Sequence, residues 1–319
     1  MLFQTFLKLF PPPKFLDIPH AGLDISDDAV RCVQYKHGLH GLYIDKYGER
    51  KLPQGMVESG FIKDEQGLSN ILFSLKEELK IDAVKVSLPE ERMYLFKTEV
   101  LSMDEKEARQ GIEFKLEENV PLTPDKALFF FDFIPNIKEG KIFASVSVAP
   151  RKLIDIYLET IRKAHLQVIS FEIQPKAISR AIIPLHSKDT HMILHIMEHK
   201  TGVYIVFAGV VCFTSTISWG AEKMKNSDNK EESIKELKKE INRVYTYWTE
   251  HGEGTNINQI VLSGKSASTD GLASYSSPDP KIPVKISNVW ENSFSIDDYI
   301  PPISFENSLD YVIAIGLAL

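Results

Sequence analysis

The sequence predicts an α/β protein built from two related halves, the first of which carries an inserted α+β module. Three observations predict it. The segment Gly22-Leu23-Asp24-Ile25-Ser26-Asp27-Asp28-Ala29-Val30-Arg31 reads as a strand, a tight acidic turn and the start of a second strand. Two stretches, one from Ala21 and one from His191, each open with three strand-like runs, a weak internal duplication. Between them, residues 90–150 switch to a strand, a helix and a hairpin.

The elements follow in order. At about 100° per residue, Leu2, Phe3, Phe6, Leu7, Leu9 and Phe10 share one side of a helix, and Gln4, Thr5 and Lys8 the other. Pro11-Pro12-Pro13 ends that helix and stiffens the link to residue 20. So short a helix is marginal alone in water. It is expected to dock on its own domain, a partner or a bilayer surface, and its single lysine gives little attraction for anionic lipid. Gly22–Ile25, Val30–Tyr35 and Gly41–Tyr47 read as strands. A helix from Gly67 to Lys80 follows, spaced by Leu68, Ile71, Leu72, Leu75 and Leu79, and then strand Ala83–Leu88, ended by Pro89.

In the module, strand Met93–Val100 leads to helix Glu105–Glu118 and the rigid link Val120–Pro124. Leu128–Ile134 and Lys141–Val148 form a hairpin around Asn136–Gly140. Helix Arg151–Ala164, strand Leu166–Glu172 and helix Pro175–Ile182 complete the first half. In the second, His191–Met197, Gly202–Ala208 and Val210–Ser218 read as strands and Asn226–Lys230 as a polar loop. Helix Lys230–His251 carries Ile234, Leu237, Ile241, Val244, Tyr245 and Trp248 on one face, its charge run being solvated surface. Strand Gln259–Ser263, loop-rich Ser268–Pro283, a polar and mobile Ser293–Pro302 and an apolar helix Ser308–Leu319 finish the chain. The expected domains are 1–20 (helix and linker), 21–184 with the module at about 90–150, 185–303, and a C-terminal helix, 304–319, returning to the first domain.

Composition excludes several functions. A net charge of −7 and the lack of a basic tract argue against a nucleic-acid partner. Cys32 and Cys212 lie far apart in apolar runs and read as small buried hydrophobes, which fits a reducing cytoplasm. No apolar run reaches the roughly 18 residues of a membrane span. The N-terminus lacks the basic region and cleavage site of a signal peptide. His191, His195 and His199 share strand parity, but the outer two would stand roughly 26 Å apart in an extended strand, too far for one zinc site. No G-x-S-x-G, H-E-x-x-H or P-loop pattern is present.

Gly22-Leu23-Asp24-Ile25, Gly111-Ile112-Glu113-Phe114-Lys115-Leu116-Glu117-Glu118-Asn119-Val120-Pro121-Leu122, Phe171-Glu172-Ile173-Gln174-Pro175-Lys176-Ala177, Val261-Leu262-Ser263-Gly264 and Ala314-Ile315-Gly316-Leu317-Ala318 resemble, in order and spacing, the PilM family. The likeness spans nearly the whole chain after residue 20. It implies an actin-like (ribonuclease H-like) two-domain fold with an inserted subdomain. It also implies a cytoplasmic scaffold on the inner-membrane face in type IV pilus assembly, or a related secretion system, binding the cytoplasmic tail of a PilN-like membrane protein. Some members of the family bind ATP with Mg²⁺.

An actin-like nucleotide site needs backbone amides around phosphates and carboxylates around Mg²⁺. By the resemblance, Asp24 is the metal-side aspartate. Ser26 stands where glycine is usual, and Asp27 and Asp28 where small hydroxyl residues are common. Facing a triphosphate these extra carboxylates would be repulsive; otherwise they form a polar hairpin turn. In the second phosphate turn His195 replaces aspartate and Met197 replaces glycine. In the adenosine region Gly264 is kept, Lys265 replaces a second glycine, and Glu240 and Arg243 match nucleoside-contacting positions or are ordinary surface charges. The expected cleft is therefore degenerate. For the partner, Phe114, Phe129 and Phe131 are the candidates: with Phe130 and Phe133 they make both faces of a strand aromatic, one for the core and one for docking, or both for the core. The rival expectations are an active assembly ATPase and an FtsA-like division protein anchored by Leu2–Phe10.

Overall fold

The computed structural model describes residues 18–38, 41–135, 140–226, 230–252, 255–268, 272 and 276–319. The helix expected at 2–10, its prolines and residues 136–139 of the hairpin lie outside these.

The first half runs β1 (Ala21–Ile25), β2 (Ala29–Gly38), β3 (Gly41–Lys51), the short pair β4 (Val57–Glu58) and β5 (Phe61–Ile62), α1 (Glu65–Leu79) and β6 (Ala83–Leu88). All five residues of β1 are buried, as befits a central strand. Asp64 starts α1 by accepting the Gly67 amide at 2.8 Å, and Lys80 ends it in the left-handed conformation at φ 51°. The module follows as β7 (Tyr94–Val100), α2 (Glu105–Asn119), β8 (Ala127–Ile134) and β9 (Ile142–Pro150). Asp104 caps α2 through the Lys106 and Glu107 amides, both at 3.0 Å. Then come α3 (Arg151–Lys163), β10 (Gln167–Ile173) and α4 (Gln174–Ile182).

The second half has β11 (Thr190–Ile196), β12 (Thr201–Phe207), β13 (Val210–Ile217), α5 (Ala221–Asn226), α6 (Lys230–His251), β14 (Ile257–Ser263) and β15 (Val284–Ile286). The chain closes with α7 (Phe305–Ser308) and α8 (Val312–Ala318).

Topology repeats. The first sheet is ordered β10-β6-β1-β2-β3 and the second β15-β14-β11-β12-β13. In each, the three opening strands are antiparallel neighbours and the outer two are parallel to them. This is the duplicated α/β plan expected of an actin-like chain, with the three-stranded β7-β9-β8 sheet inserted between β6 and β10.

The C-terminal helix settles the role of two glycines. α8 lies across β1, and a Cβ on Gly22 would stand 2.0 Å from the Ala314 carbonyl oxygen. One on Gly316 would stand 1.8 Å from that of Ala177 in α4. Bare backbone is needed at both places so that strand and helices can touch.

Two sequence expectations are corrected. Asn226 is not loop: it ends the short helix α5, which the polar sequence hides, while residues 227–229 lie outside the described set. Ser293–Pro302 is not a loose polar stretch. Phe294 stacks on Trp290 at 5.1 Å and meets Tyr35 of β2 edge-on at 6.4 Å. It also packs against Tyr299 at 4.8 Å, which reaches Tyr43 of β3 at 6.4 Å. Tyr35 and Ser293 share a 2.8 Å hydroxyl hydrogen bond, and Asn292 donates to the Arg180 and Ile183 carbonyls. These aromatic residues are irregularly spaced, so no periodic pattern marked them, yet together they clasp the second half to the first.

Candidate functional site

The actin-like plan places its cleft where β1 and β11 end, and the two turns there are built alike. The Ser26 amide donates to the Ala29 carbonyl and the Met197 amide to the Lys200 carbonyl, both at 3.0 Å. Asp24 on β1 accepts from Ser87 at the end of β6 at 2.7 Å. The equivalent residue on β11 is His195, whose Nδ1 lies 3.4 Å from Ser263 at the end of β14. Internal symmetry thus sets His195 opposite Asp24, and Ser263 opposite Ser87.

Asp24 is fully buried, and burial raises its carboxyl above the ordinary value, although hydrogen bonds from Ser26 and Ser87 oppose this. Ser26 donates to it at 2.6 Å, so its hydroxyl turns inward to the aspartate. His195 is also buried, and burial, aided by the nearby Arg31 and Lys200 charges, lowers its imidazole to about 4. It is a neutral ring at neutral pH.

Asp27 and Asp28 are engaged by the protein itself. Asp27 accepts the Gly60 amide at 3.0 Å and pairs with Lys200 of the opposite turn at 3.3 Å. Lys200 also pairs with Glu91, at the root of the module. Asp28 pairs with Arg31 at 3.1 Å, and Arg31 reaches Glu49 at 3.2 Å. Lys265 pairs with Asp310 at 3.3 Å. Beside Lys200, Glu90 is buried and accepts from Thr216 at 2.9 Å. Burial raises its carboxyl to about 7, against the lowering effect of hydrogen bonding from Tyr204 and Thr216.

The remaining candidates divide. Gly264 has φ +84°, and a Cβ there would meet the Ile196 carbonyl oxygen at 2.4 Å. It permits close contact of β14 with β11. Met197 offers its carbonyl to the first amide of α5, that of Ala221, at 3.0 Å. Glu240 and Arg243 pair with each other at 3.0 Å on α6. On the module, the structure separates Phe114 from Phe129 and Phe131. Phe114 stands 85% exposed on the outer face of α2. Phe129 and Phe131 lie half-buried against the module core, with the Arg109 guanidinium over their rings at 4.8 and 5.8 Å.

Around this cleft one amide of each turn, Ser26 and Met197, closes its own turn, the Ser26 hydroxyl serves Asp24, and the Lys200 ammonium sits between Asp27 and Glu91. Sequence reasoning missed Lys200, Glu91, Glu90 and Arg31, because a lysine in a short turn or a glutamate after a proline carries no motif. Ser87 and Ser263 did leave a signal: Ser87 is the last residue but one of its strand and Ser263 the last, in Val86-Ser87-Leu88-Pro89 and Leu262-Ser263-Gly264.

The comparisons agree with the fold. A family model for the type IV pilus assembly protein PilM matches residues 22–231. The structure of a PilM–PilN type IV pilus biogenesis complex is similar over 94% of this chain and 98% of that one, with a TM-score of 0.77 at 16% identity. The ethanolamine utilization protein EutJ of Carboxydothermus hydrogenoformans is similar over 97% and 90%, with a TM-score of 0.50 at 14% identity. The cytoplasmic domain of EpsL, an inner-membrane component of the Vibrio cholerae type II secretion system, is similar over 92% and 94%, with a TM-score of 0.50 at 10% identity. A search of curated protein sequences gives no match. Since the family match covers most of an actin-like chain whose inserted sheet lies within the matched span, the chain belongs to the PilM family of type IV pilus assembly proteins.

Proposed function

We propose that this protein is a cytoplasmic scaffold of type IV pilus assembly that holds the cytoplasmic tail of a PilN-like inner-membrane protein, and that its nucleotide cleft is degenerate. The observation that carries the first part is the similarity, over nearly both whole chains, to a PilM–PilN complex. The module has the means to hold an extended peptide. Among the described residues β8 is an edge strand, paired only with β9. Its odd residues Phe129 and Phe131 lie toward α2, while Phe130 lies on the other face, within 5.9 Å of the Lys176 ammonium. An added strand would gain main-chain bonds from that edge and side-chain contacts from these rings. No helix among the described residues is long and apolar enough to cross a membrane, so such a tail would be the link to the inner-membrane face.

The second part is supported by Lys200 between Asp27 and Glu91, and by a neutral His195 in the place symmetry gives to Asp24. Isothermal titration with a synthetic tail peptide, with and without Mg-ATP, tests both parts. The expected result is saturable binding that Phe131→Ala weakens and that Mg-ATP leaves unchanged. A tail that fails to bind overturns the partner; micromolar Mg-ATP binding with turnover overturns the degenerate cleft.

A further inference from the structure

Two surfaces of this chain, far apart in sequence, are complementary. The first is the outer face of α2. Only Ala108, Ile112 and Leu116 of this helix are buried. At helical spacing around the exposed Phe114 stand Glu107, Gly111, Glu117 and Glu118, all exposed. None of these glutamates forms an ion pair among the described residues. Leu101 is fully exposed and Met103 largely so, just ahead of the same helix. A projecting aromatic ring among uncompensated carboxylates is unfavourable to leave in water.

The second surface is the outer face of α6. A groove of about 640 Å³ opens there, lined by Lys235, Lys238, Lys239, Arg243, Tyr247 and Glu250 among others. The three lysines form no ion pair among the described residues, and Arg243 has only its helix neighbour Glu240. Within a chain of net charge −7 this is a local concentration of positive charge. Its floor is aromatic: Tyr247, 48% exposed, stacks on His251 at 4.6 Å and leans on Phe213 at 5.3 Å.

We propose that α2 of one copy seats in the α6 groove of a second copy. Phe114 would enter beside Tyr247, and Glu107, Glu117 and Glu118 would meet Lys235, Lys238 and Lys239. The occupant is a second copy because the same chain supplies both halves of the match: an acidic face with a protruding ring, and a basic groove with an aromatic floor. The contact is heterologous, so it repeats from subunit to subunit into a ring or a row. Such a row would present the tail-binding modules of many copies at a regular spacing along the membrane face.

The test is sedimentation velocity of the full chain over a range of concentrations, with charge exchange. The chain should associate at low salt and dissociate as salt screens the pairs. Lys238→Glu with Lys239→Glu should weaken association about tenfold or more, as should Glu117→Lys with Glu118→Lys. Mixing the two variants should restore it, because each then finds an opposite partner on both surfaces. Phe114→Ser should weaken it without changing the melting temperature. A parent chain that stays monomeric at its highest soluble concentration, variants that associate like the parent, or a mixture that stays apart would each overturn the contact. Tail-peptide binding by the two charge-exchanged variants should remain unchanged, which separates this result from the scaffold assignment.

Discussion

At the cleft between the halves, Asp27, Lys200 and Glu91 are bonded to one another, Arg31 is shared by Asp28 and Glu49, and Lys265 holds Asp310. On the module, Leu101, Met103, Phe114 and the glutamates around it point outward. Both regions are rich in charge, yet one is closed upon itself and the other is open. In an actin-like fold the cleft is the inherited ligand site. Here its charged side chains pair with one another, while the exposed charges of α2 and the lysines of α6 form no ion pairs among the described residues. Self-satisfied groups act on stability; exposed ones act on association.

The comparison can be broken by substitution. The largest effect is expected at Gly22→Ala. A methyl group 2.0 Å from the Ala314 carbonyl cannot be accommodated without lifting α8 from β1. The loss should exceed about 4 kcal/mol, enough to leave the chain insoluble or melted at ordinary temperature; a melting curve like the parent's would refute this packing.

Next is Glu90→Gln, which acts through pH. The folded carboxyl titrates at about 7, against 4.5 ordinarily. Between those values the folded chain holds a proton that the unfolded chain has released, so stability falls as pH rises through that window. His195, lowered to about 4, works in the opposite sense and adds stability up to about 6.5. From about 6.5 to about 7 Glu90 still lowers stability as pH rises. Relative to the parent, Glu90→Gln should gain roughly 2–3 kcal/mol between pH 5 and pH 8 in urea unfolding. Parallel curves for the two proteins would show that Glu90 is not held neutral.

Lys200→Met should cost less, about 1–2 kcal/mol, by leaving Asp27 and Glu91 facing each other without their cation. A double-mutant cycle with Asp27→Asn gives the coupling, and additivity would mean the pair does not join the halves. The substitutions at Phe114 lie at the far end of this scale, with association changed and melting not.

The fold was largely legible in the sequence, because strand alternation and the helical spacing of Leu68–Leu79 and Ile234–Trp248 register burial directly. Asp24, Ser26, Asp27 and His195 were legible for a related reason: they sit at or just beyond the ends of β1 and β11, which occupy equivalent places in the two sheets. Their partners were not legible. Lys200 meets Asp27 only when two turns from separate sheets face each other, and no local pattern encodes that meeting. Gly264 was read as a glycine for a ligand, whereas it faces another backbone of the same chain. A glycine signals close approach, but the sequence does not say what approaches.

The helix that covers β1 and the clasp that grips β2 and β3 both come from the end of the chain; the Tyr35–Ser293 bond spans 258 residues. A ribosome therefore releases the first sheet on the order of tens of seconds before its cover exists. During that interval the apolar residues of β1 and of the first half of β2 must be shielded by something else. The nascent first half is thus a natural client for a chaperone, and losing the last helix would leave it one permanently.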